Sequence, residues 1–569
     1  MSNKSVTDSW DASTILMVVA LSVGLGIAAC LTLGLHLWAA LNGQVIESWN
    51  PITLTVEIVS GQLTVPREAW FFVAGVVAFL GVVAFLVAAL VGRSRRARKR
   101  GDKASGLTGL SQDISGLSSA SAKAKAARLG VVDTFGFPIA RTVKGLIYLT
   151  SSVEDVTINI SGPRTGKTTS WVVPRIIAAV GAVVATSNKR DIVDATRYVR
   201  EETTKERVWV FDPQAIVGEP QTWFWNPLTY VSDSISALSL ANIFIDATKD
   251  PNAKSDAFWS DAARDHVAGL LLAAARGNYP LTKLHTWLTD VNDSEPVVLL
   301  KNHGDVLMAQ TVQGNLELVQ ETRDGIMKNA TQMMSFLLNE RAITWATPKI
   351  GLEEFKPADF VASKQTLYCM SQEGRGSAAP IVTALTVAVT EAAVEYAKHQ
   401  KGGRLASPML VALDEAANVC RWRELPDMYS HFGSRGITVD TVLQSWSQGV
   451  SVWGEAGMKK LFSAANIKVY GGGVSEREFL STLSDLIGDH YIDGVQVSTS
   501  NQGRSVSTSK NSTQRRIATV ADLGALPSGR MWVFGSGATP VLCEALPWYT
   551  GIFKSQVETS IKKSEGVVA

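Results

Sequence analysis

The chain has few of the residues that build metal centres and covalent cross-links. Its four cysteines, Cys30, Cys369, Cys420 and Cys543, are scattered over 569 residues with no C-x-x-C or zinc-type spacing. That excludes a disulfide scaffold and a zinc knot, and leaves reduced thiols as the expectation. The seven histidines form no H-E-x-x-H pair, and no structural metal is expected. Charge is scarce too: charged residues are 19% of the total, with 54 Lys+Arg against 52 Asp+Glu. Residues 1–128 hold 12 basic and 7 acidic residues, leaving 42 and 45 in the remainder. Beyond the N-terminal quarter the chain is slightly acidic, so any nucleic-acid contact must come from a local channel and not from the whole surface.

Long apolar runs occur near the N-terminus. Ile15 to Leu41 is almost wholly apolar apart from His36, and Trp70 to Val91 contains no charge. Each exceeds the roughly 20 residues needed to cross a bilayer. The first is too long for a signal peptide and nearly lacks a basic leader. Arg93, Arg95, Arg96, Arg98, Lys99 and Arg100 follow the second run directly. The positive-inside rule places that end, and therefore both termini, in the cytoplasm. The same cluster meets anionic lipid. Between the runs, the Thr/Val/Ile alternation at Ile52–Val59 predicts a short strand. Residues 93–130 read as a basic juxtamembrane segment and a flexible Gly/Ser/Ala-rich tether.

The chemistry begins at Val156. An apolar strand, Val156–Ile160, runs into Ser161-Gly162-Pro163-Arg164-Thr165-Gly166-Lys167-Thr168, and a helical stretch opening with Thr169 follows. Strand, glycine-bearing loop, Gly-Lys-Thr and helix form a phosphate-binding loop. Backbone N–H groups cradle the phosphates of ATP, Lys167 reaches the β and γ oxygens, and the Thr168 hydroxyl takes Mg²⁺. Ser161 stands where the usual pattern has its first glycine. A second apolar strand, Pro408–Leu413, ends in Asp414-Glu415. Asp414 suits Mg²⁺ and Glu415 suits polarisation of the attacking water. A third, Gly436–Leu443, ends at Gln444 and is preceded by Arg435. From the residues alone, Gln444 reads equally as a γ-phosphate sensor or a polar strand terminator, and Arg435 as an exposed loop arginine.

Several features in order resemble one family, the type IV secretion coupling proteins, TraG/TraD-like ATPases of bacterial conjugation. They are two N-terminal spans, Gly162–Ser170, Pro174, Val183–Asp191, Val208–Pro213, Trp225–Leu228, Asp414-Glu415, Leu443–Gln448, Leu526–Arg530 and Pro547–Tyr549. The resemblance implies a RecA-like P-loop motor, active as a homo-hexamer, linking a relaxase and its single-stranded DNA to a type IV secretion channel. It implies phosphate and Mg²⁺ roles for Lys167, Thr168 and Asp414, and a water-activating role for Glu415. It further implies a sensor role for Gln444 and a trans arginine finger in Arg435. A septal double-strand DNA translocase is a rival, weakened by the lack of a basic helix-turn-helix pattern after Ser536. A protein-secretion ATPase without DNA cargo is another.

The expected fold is α/β. Apolar runs at 156–160, 181–186, 207–211, 408–413, 437–443, 466–470 and 531–534 alternate with helices, as in a mostly parallel sheet covered on both faces. The expected divisions are 1–92 membrane region, 93–130 linker, 131–228 and 342–553 nucleotide-binding domain, 229–341 all-α insertion and 554–569 tail. Helical spacing at 258–275, 297–307 and 314–339 supports the insertion; Phe258 and Trp259 read as core aromatics. The polar segment Gly494–Arg516, with Arg504, Lys510, Arg515 and Arg516, is expected to be a surface loop, with DNA contact as the alternative.

Overall fold

The computed structural model describes residues 12–94, 99, 102–109, 112–248, 257–374, 376–499 and 506–568. Arg95, Arg96, Arg98, Arg100 and Arg504 lie outside the described residues, as do the side chains of Arg93, Phe258 and Lys510. The chain divides into two compact units, residues 1–98 and 99–569.

In the first unit two long helices, Ala12–Leu41 and Ala69–Ser94, flank a shorter one, Pro51–Val59. The strand expected at Ile52–Val59 is therefore a helix. Pro51 occupies its first turn and the Asn50 side chain accepts from Ile52 N at 3.0 Å; this capping outweighs the β-preference of Ile, Thr and Val. Gly34 lets the long helices approach, since a Cβ there would lie 2.6 Å from the Val73 Cα. Leu35, Trp38, Ala39, Leu54, Ala69 and Val73 form the small core.

The second unit is built on an eleven-stranded sheet. Its strands are β1 (Phe137–Thr142), β2 (Tyr148–Ser151), β3 (Thr157–Ile160), β4 (Val183–Ser187) and β5 (Val208–Phe211), then β8 (Thr366–Met370), β9 (Met409–Leu413), β10 (Ile437–Leu443), β11 (Ile467–Tyr470), β14 (Arg530–Gly535) and β15 (Val541–Glu544). Two-residue strands β6 (Trp223–Phe224) and β7 (Glu353–Glu354) pair separately. The order is β2-β1-β15-β14-β11-β3-β10-β9-β4-β8-β5. Pairing is parallel from β11 to β5 and antiparallel from β11 through β14, β15 and β1 to β2. All seven apolar runs are strands of this sheet. The helix Ala379–Lys398 is long and apolar enough to cross a membrane, but 72% of its apolar window is buried, as in a core helix.

From Ser234 to Trp345 the described residues are helical, with turns between. The run expected at 297–307 is two helices, Glu295–Asn302 and Val306–Leu316, broken at Gly304, whose φ is +84°. The helical segment shares one apolar core with the sheet: Leu240, Leu271 and Trp287 belong to the same cluster as Trp209 and Val411.

Two polar segments are more ordered than their composition suggests. Within the expected tether, Ser119–Arg128 is a helix, and Asp102 accepts from Arg530 Nε and Nη2 at 2.8 and 3.0 Å. Lys99 Nζ donates to Ser528 O at 2.6 Å. The segment expected as a surface loop is a β-ribbon: β12 (Asp489–Thr499) pairs antiparallel with β13 (Val506–Arg516) over eleven positions. Ser and Thr tracts satisfy a ladder without supplying the apolar alternation that announces one.

One buried ion pair ties the helix after the phosphate loop to the sheet. Arg175 donates from Nε and Nη2 to Asp440 of β10; the Nη2 bond is 2.8 Å, and both side chains are at most 1% exposed. Asp440 also accepts from Thr157 of β3 at 2.7 Å. Removing one member strands a charge inside the protein. Asp440→Ala should therefore lower unfolding stability by about 3–5 kcal/mol, measured by denaturant titration; an unchanged midpoint would remove this anchor from the account.

Candidate nucleotide-binding site

The loop after β3 is shaped by contacts a side chain would destroy. Gly162 N donates to Gly472 O at 2.8 Å, and a Cβ on Gly162 would lie 2.0 Å from Gly473 O. Gly166 has φ +86° and Arg164 φ +59°, so the backbone turns twice through the left-handed region. Pro163 and Arg164 are exposed at the tip, while Thr165 to Thr169 are half-buried. The Thr165 and Thr169 hydroxyls close local turns onto Gly162 O and Gly166 O at 2.8 and 3.1 Å. The helix then begins at Thr168 with a widened first turn and continues to Ala178.

Ser161 now has a physical reason to replace glycine. Its hydroxyl donates to Asn159 Oδ1 at 2.5 Å and accepts from Gly471 N at 3.0 Å. It thus fastens the phosphate loop to the Gly471-Gly472-Gly473 turn that ends β11. That turn, with φ of +83° and +75° at its last two residues, was missed in the sequence reading. Three consecutive glycines after an apolar strand were the available signal.

The ends of β3, β10 and β9 bring five of the predicted residues together. Lys167 Nζ lies 3.3 Å from Glu415 Oε1, with both side chains about nine-tenths buried. The Thr168 hydroxyl donates to Asp414 Oδ2 at 3.3 Å. Gln444 Nε2 donates to Glu415 Oε2 at 2.7 Å. Glu415 itself sits in the left-handed region at φ 53° and ψ 44°, an uncommon place for a residue with a side chain and one seen at functional turns.

Arg435 is not brought to this group. It precedes β10, so it lies at the opposite end of that strand from Gln444, about 23 Å away along seven residues. There its Nη1 donates to Gly403 O at 3.0 Å.

Asp414 is the electrostatic oddity of the site. Burial, with Glu415 adding repulsion, pushes its carboxyl up to about 7, against the pull of Lys167. Its Oδ1 is buried without a hydrogen-bond partner. An unpartnered carboxylate oxygen beside a threonine hydroxyl is a donor set for a hard cation such as Mg²⁺, so these residues fit the expected metal.

Residues 408–528 match the family model described as the TraM recognition site of TraD and TraG. Over that stretch the chain is similar to TraD and TraG. The matched stretch includes Asp414, Glu415, Arg435, Gln444 and the glycine turn. No curated protein matches it significantly. Among solved structures, the conjugative coupling protein TrwBdeltaN70 in its unbound monoclinic form superposes with a TM-score of 0.53 at 16% identity, covering 75% of this chain and 92% of that one. TrwB bound to a non-hydrolysable ATP analogue gives 0.52 at 14%, covering 74% and 92%. TrwB with ADP and Mg²⁺ gives 0.52 at 15%, with the same coverage. At these identities the likeness is one of fold.

The Asp414 shift makes a pH prediction. Its carboxyl is protonated more readily in the folded than in the unfolded chain, so its contribution to stability falls as pH rises from about 4 to about 7. Asp414→Asn removes that dependence. The nucleotide-free variant should melt above wild type at pH 8 and close to it at pH 4, by differential scanning calorimetry. Equal melting temperatures at both pH values would contradict the assignment.

Proposed function

We propose that this chain is a membrane-anchored motor ATPase that couples a relaxase–single-stranded DNA or protein substrate to a type IV secretion channel during conjugation. The observation that carries the reading is the meeting of Lys167 and Thr168 with Asp414, Glu415 and Gln444 at the carboxyl ends of three neighbouring strands. The match of residues 408–528 to the TraD and TraG model supports the conjugative setting. The TrwB complexes with an ATP analogue and with ADP and Mg²⁺ support ATP and Mg²⁺ as the ligands here.

In this reading the phosphate loop binds the triphosphate through its backbone N–H groups from Arg164 to Thr169, and Lys167 exchanges Glu415 for the γ-phosphate. Thr168 and Asp414 would hold Mg²⁺, which when bound spreads the negative charge of the β- and γ-phosphates. Glu415 takes the proton of the attacking water, and Gln444 orients it. The protein contributes placement and charge stabilisation to a displacement at phosphorus.

Arg435 lies too far from its own chain's site to touch this phosphate. Its assigned role is a finger presented to the next copy in a homo-hexameric ring. The helices Ala12–Leu41 and Ala69–Ser94, 30 and 26 residues long, are the proposed spans, holding the motor at the cell membrane with both termini in the cytoplasm.

Lys167→Ala should lower ATP turnover by about 100-fold or more while leaving the protein in the membrane fraction. Wild-type turnover in this variant would refute the site. Stimulation of the wild-type ATPase by single-stranded more than by double-stranded DNA, compared at two salt concentrations, tests the cargo.

A further inference from the structure

Gln444 is not alone in holding Glu415. Three polar side chains close a ring around the carboxylate. Asn418, on the short helix Ala416–Val419, donates from Nδ2 to Glu415 Oε2 at 3.5 Å. Gln448 donates from Nε2 to Asn418 Oδ1 at 3.0 Å, and its Oε1 accepts from the backbone N–H of Gln444 at 2.9 Å. Gln444 completes the circuit through its bond to Oε2.

We propose that Asn418 and Gln448 are positioning residues for ATP hydrolysis, holding Glu415 and Gln444 in one fixed arrangement toward the γ-phosphate. The proposal rests on Glu415 being the residue that activates water. With both amide donors directed to Oε2, the carboxylate is left with Oε1 facing Lys167. That is the side on which the terminal phosphate of ATP would lie. Oε1 is therefore the oxygen presented to the attacking water, and the ring decides which oxygen that is.

The ring is mounted on rigid supports. Gln448 sits in the first turn of the helix Trp446–Ala464, and its N–H donates to the Ser445 hydroxyl at 3.2 Å. Glu476 accepts from Trp446 N and Ser447 N at 2.8 and 2.9 Å, fixing the same turn. Gly449 allows close packing: a Cβ there would lie 2.3 Å from Met458 Sδ and 3.1 Å from Leu443 Cδ1. Glu476 follows the glycine turn that contacts the phosphate loop, so the two halves of the site are held by one continuous set of contacts.

The test is steady-state kinetics on the full-length protein, with ATP affinity measured separately using a fluorescent ATP analogue. Gln448→Leu should lower kcat about tenfold while KM and analogue Kd stay within about twofold. The losses in Gln444→Ala/Gln448→Leu should be less than additive, because both residues act on the one Glu415 carboxylate. Asn418→Asp, the same shape with a negative charge beside Glu415, should impair kcat more than Asn418→Ala. A purely structural role predicts the reverse order. Wild-type kcat in Gln448→Leu, additive losses in the double variant, or a loss of ATP affinity matching the loss of kcat would each overturn the proposal. Glu415→Gln separates it from the reading beneath: if that variant hydrolyses ATP normally, the role of Glu415 fails. If it is inactive while Gln448→Leu is normal, only the ring fails.

Discussion

The site depends on the parallel register of three neighbouring strands. Ile160 of β3 lies opposite Leu443 of β10, and Leu413 of β9 lies opposite Thr441. The phosphate loop and Gln444 therefore leave the sheet at one level. The Asp414-Glu415 pair emerges from β9 just before β10 ends, close enough for Glu415 to take Gln444 on one oxygen and Lys167 on the other. A slip in this ladder would change which groups meet and turn side chains to the other face. The buried Arg175–Asp440 pair opposes such a slip, because Asp440 is shared with Thr157 of β3. In open parallel sheets ligands bind at the carboxyl ends of the strands, and all five clustered residues lie there.

The same geometry gives the resting site an internally satisfied state. Lys167, the proposed phosphate ligand, is paired with Glu415, the proposed activator of water. Each is a substitute ligand for the other until a triphosphate arrives. Asp414, in contrast, has one buried oxygen with no partner. A buried carboxyl left in this condition raises its own proton affinity, and a divalent cation relieves the same imbalance.

The part of the fold that carries the proposed site was largely legible from its residues, because parallel strands buried on both faces appear as continuous apolar runs. Val156–Ile160, Pro408–Leu413 and Gly436–Leu443 are such runs, and the candidate residues sit at their ends. Less legible was β8, Thr366-Leu-Tyr-Cys-Met370, which is fully buried yet mixes polar and apolar types and has no chemical motif at its end. The helix at Pro51–Val59 was masked by its β-branched residues, although Asn50 and Pro51 spell a helix start. The β12–β13 ribbon was masked by polar composition, and the ordered segment around Asp102 by its small residues. Its partner Arg530 lies 428 positions away, beyond the reach of any local pattern. The ring through Asn418 and Gln448 was hidden for the same reason, since amides acquire meaning only from what they touch.

A structure of the full-length protein with Mg²⁺ and a non-hydrolysable ATP analogue tests the central claim most directly. The account predicts Lys167 Nζ released from Glu415 and bonded to the β- and γ-phosphates, with the cation between Thr168 Oγ1 and Asp414. A nucleotide bound elsewhere, or Lys167 still paired with Glu415 beside a bound triphosphate, would contradict it.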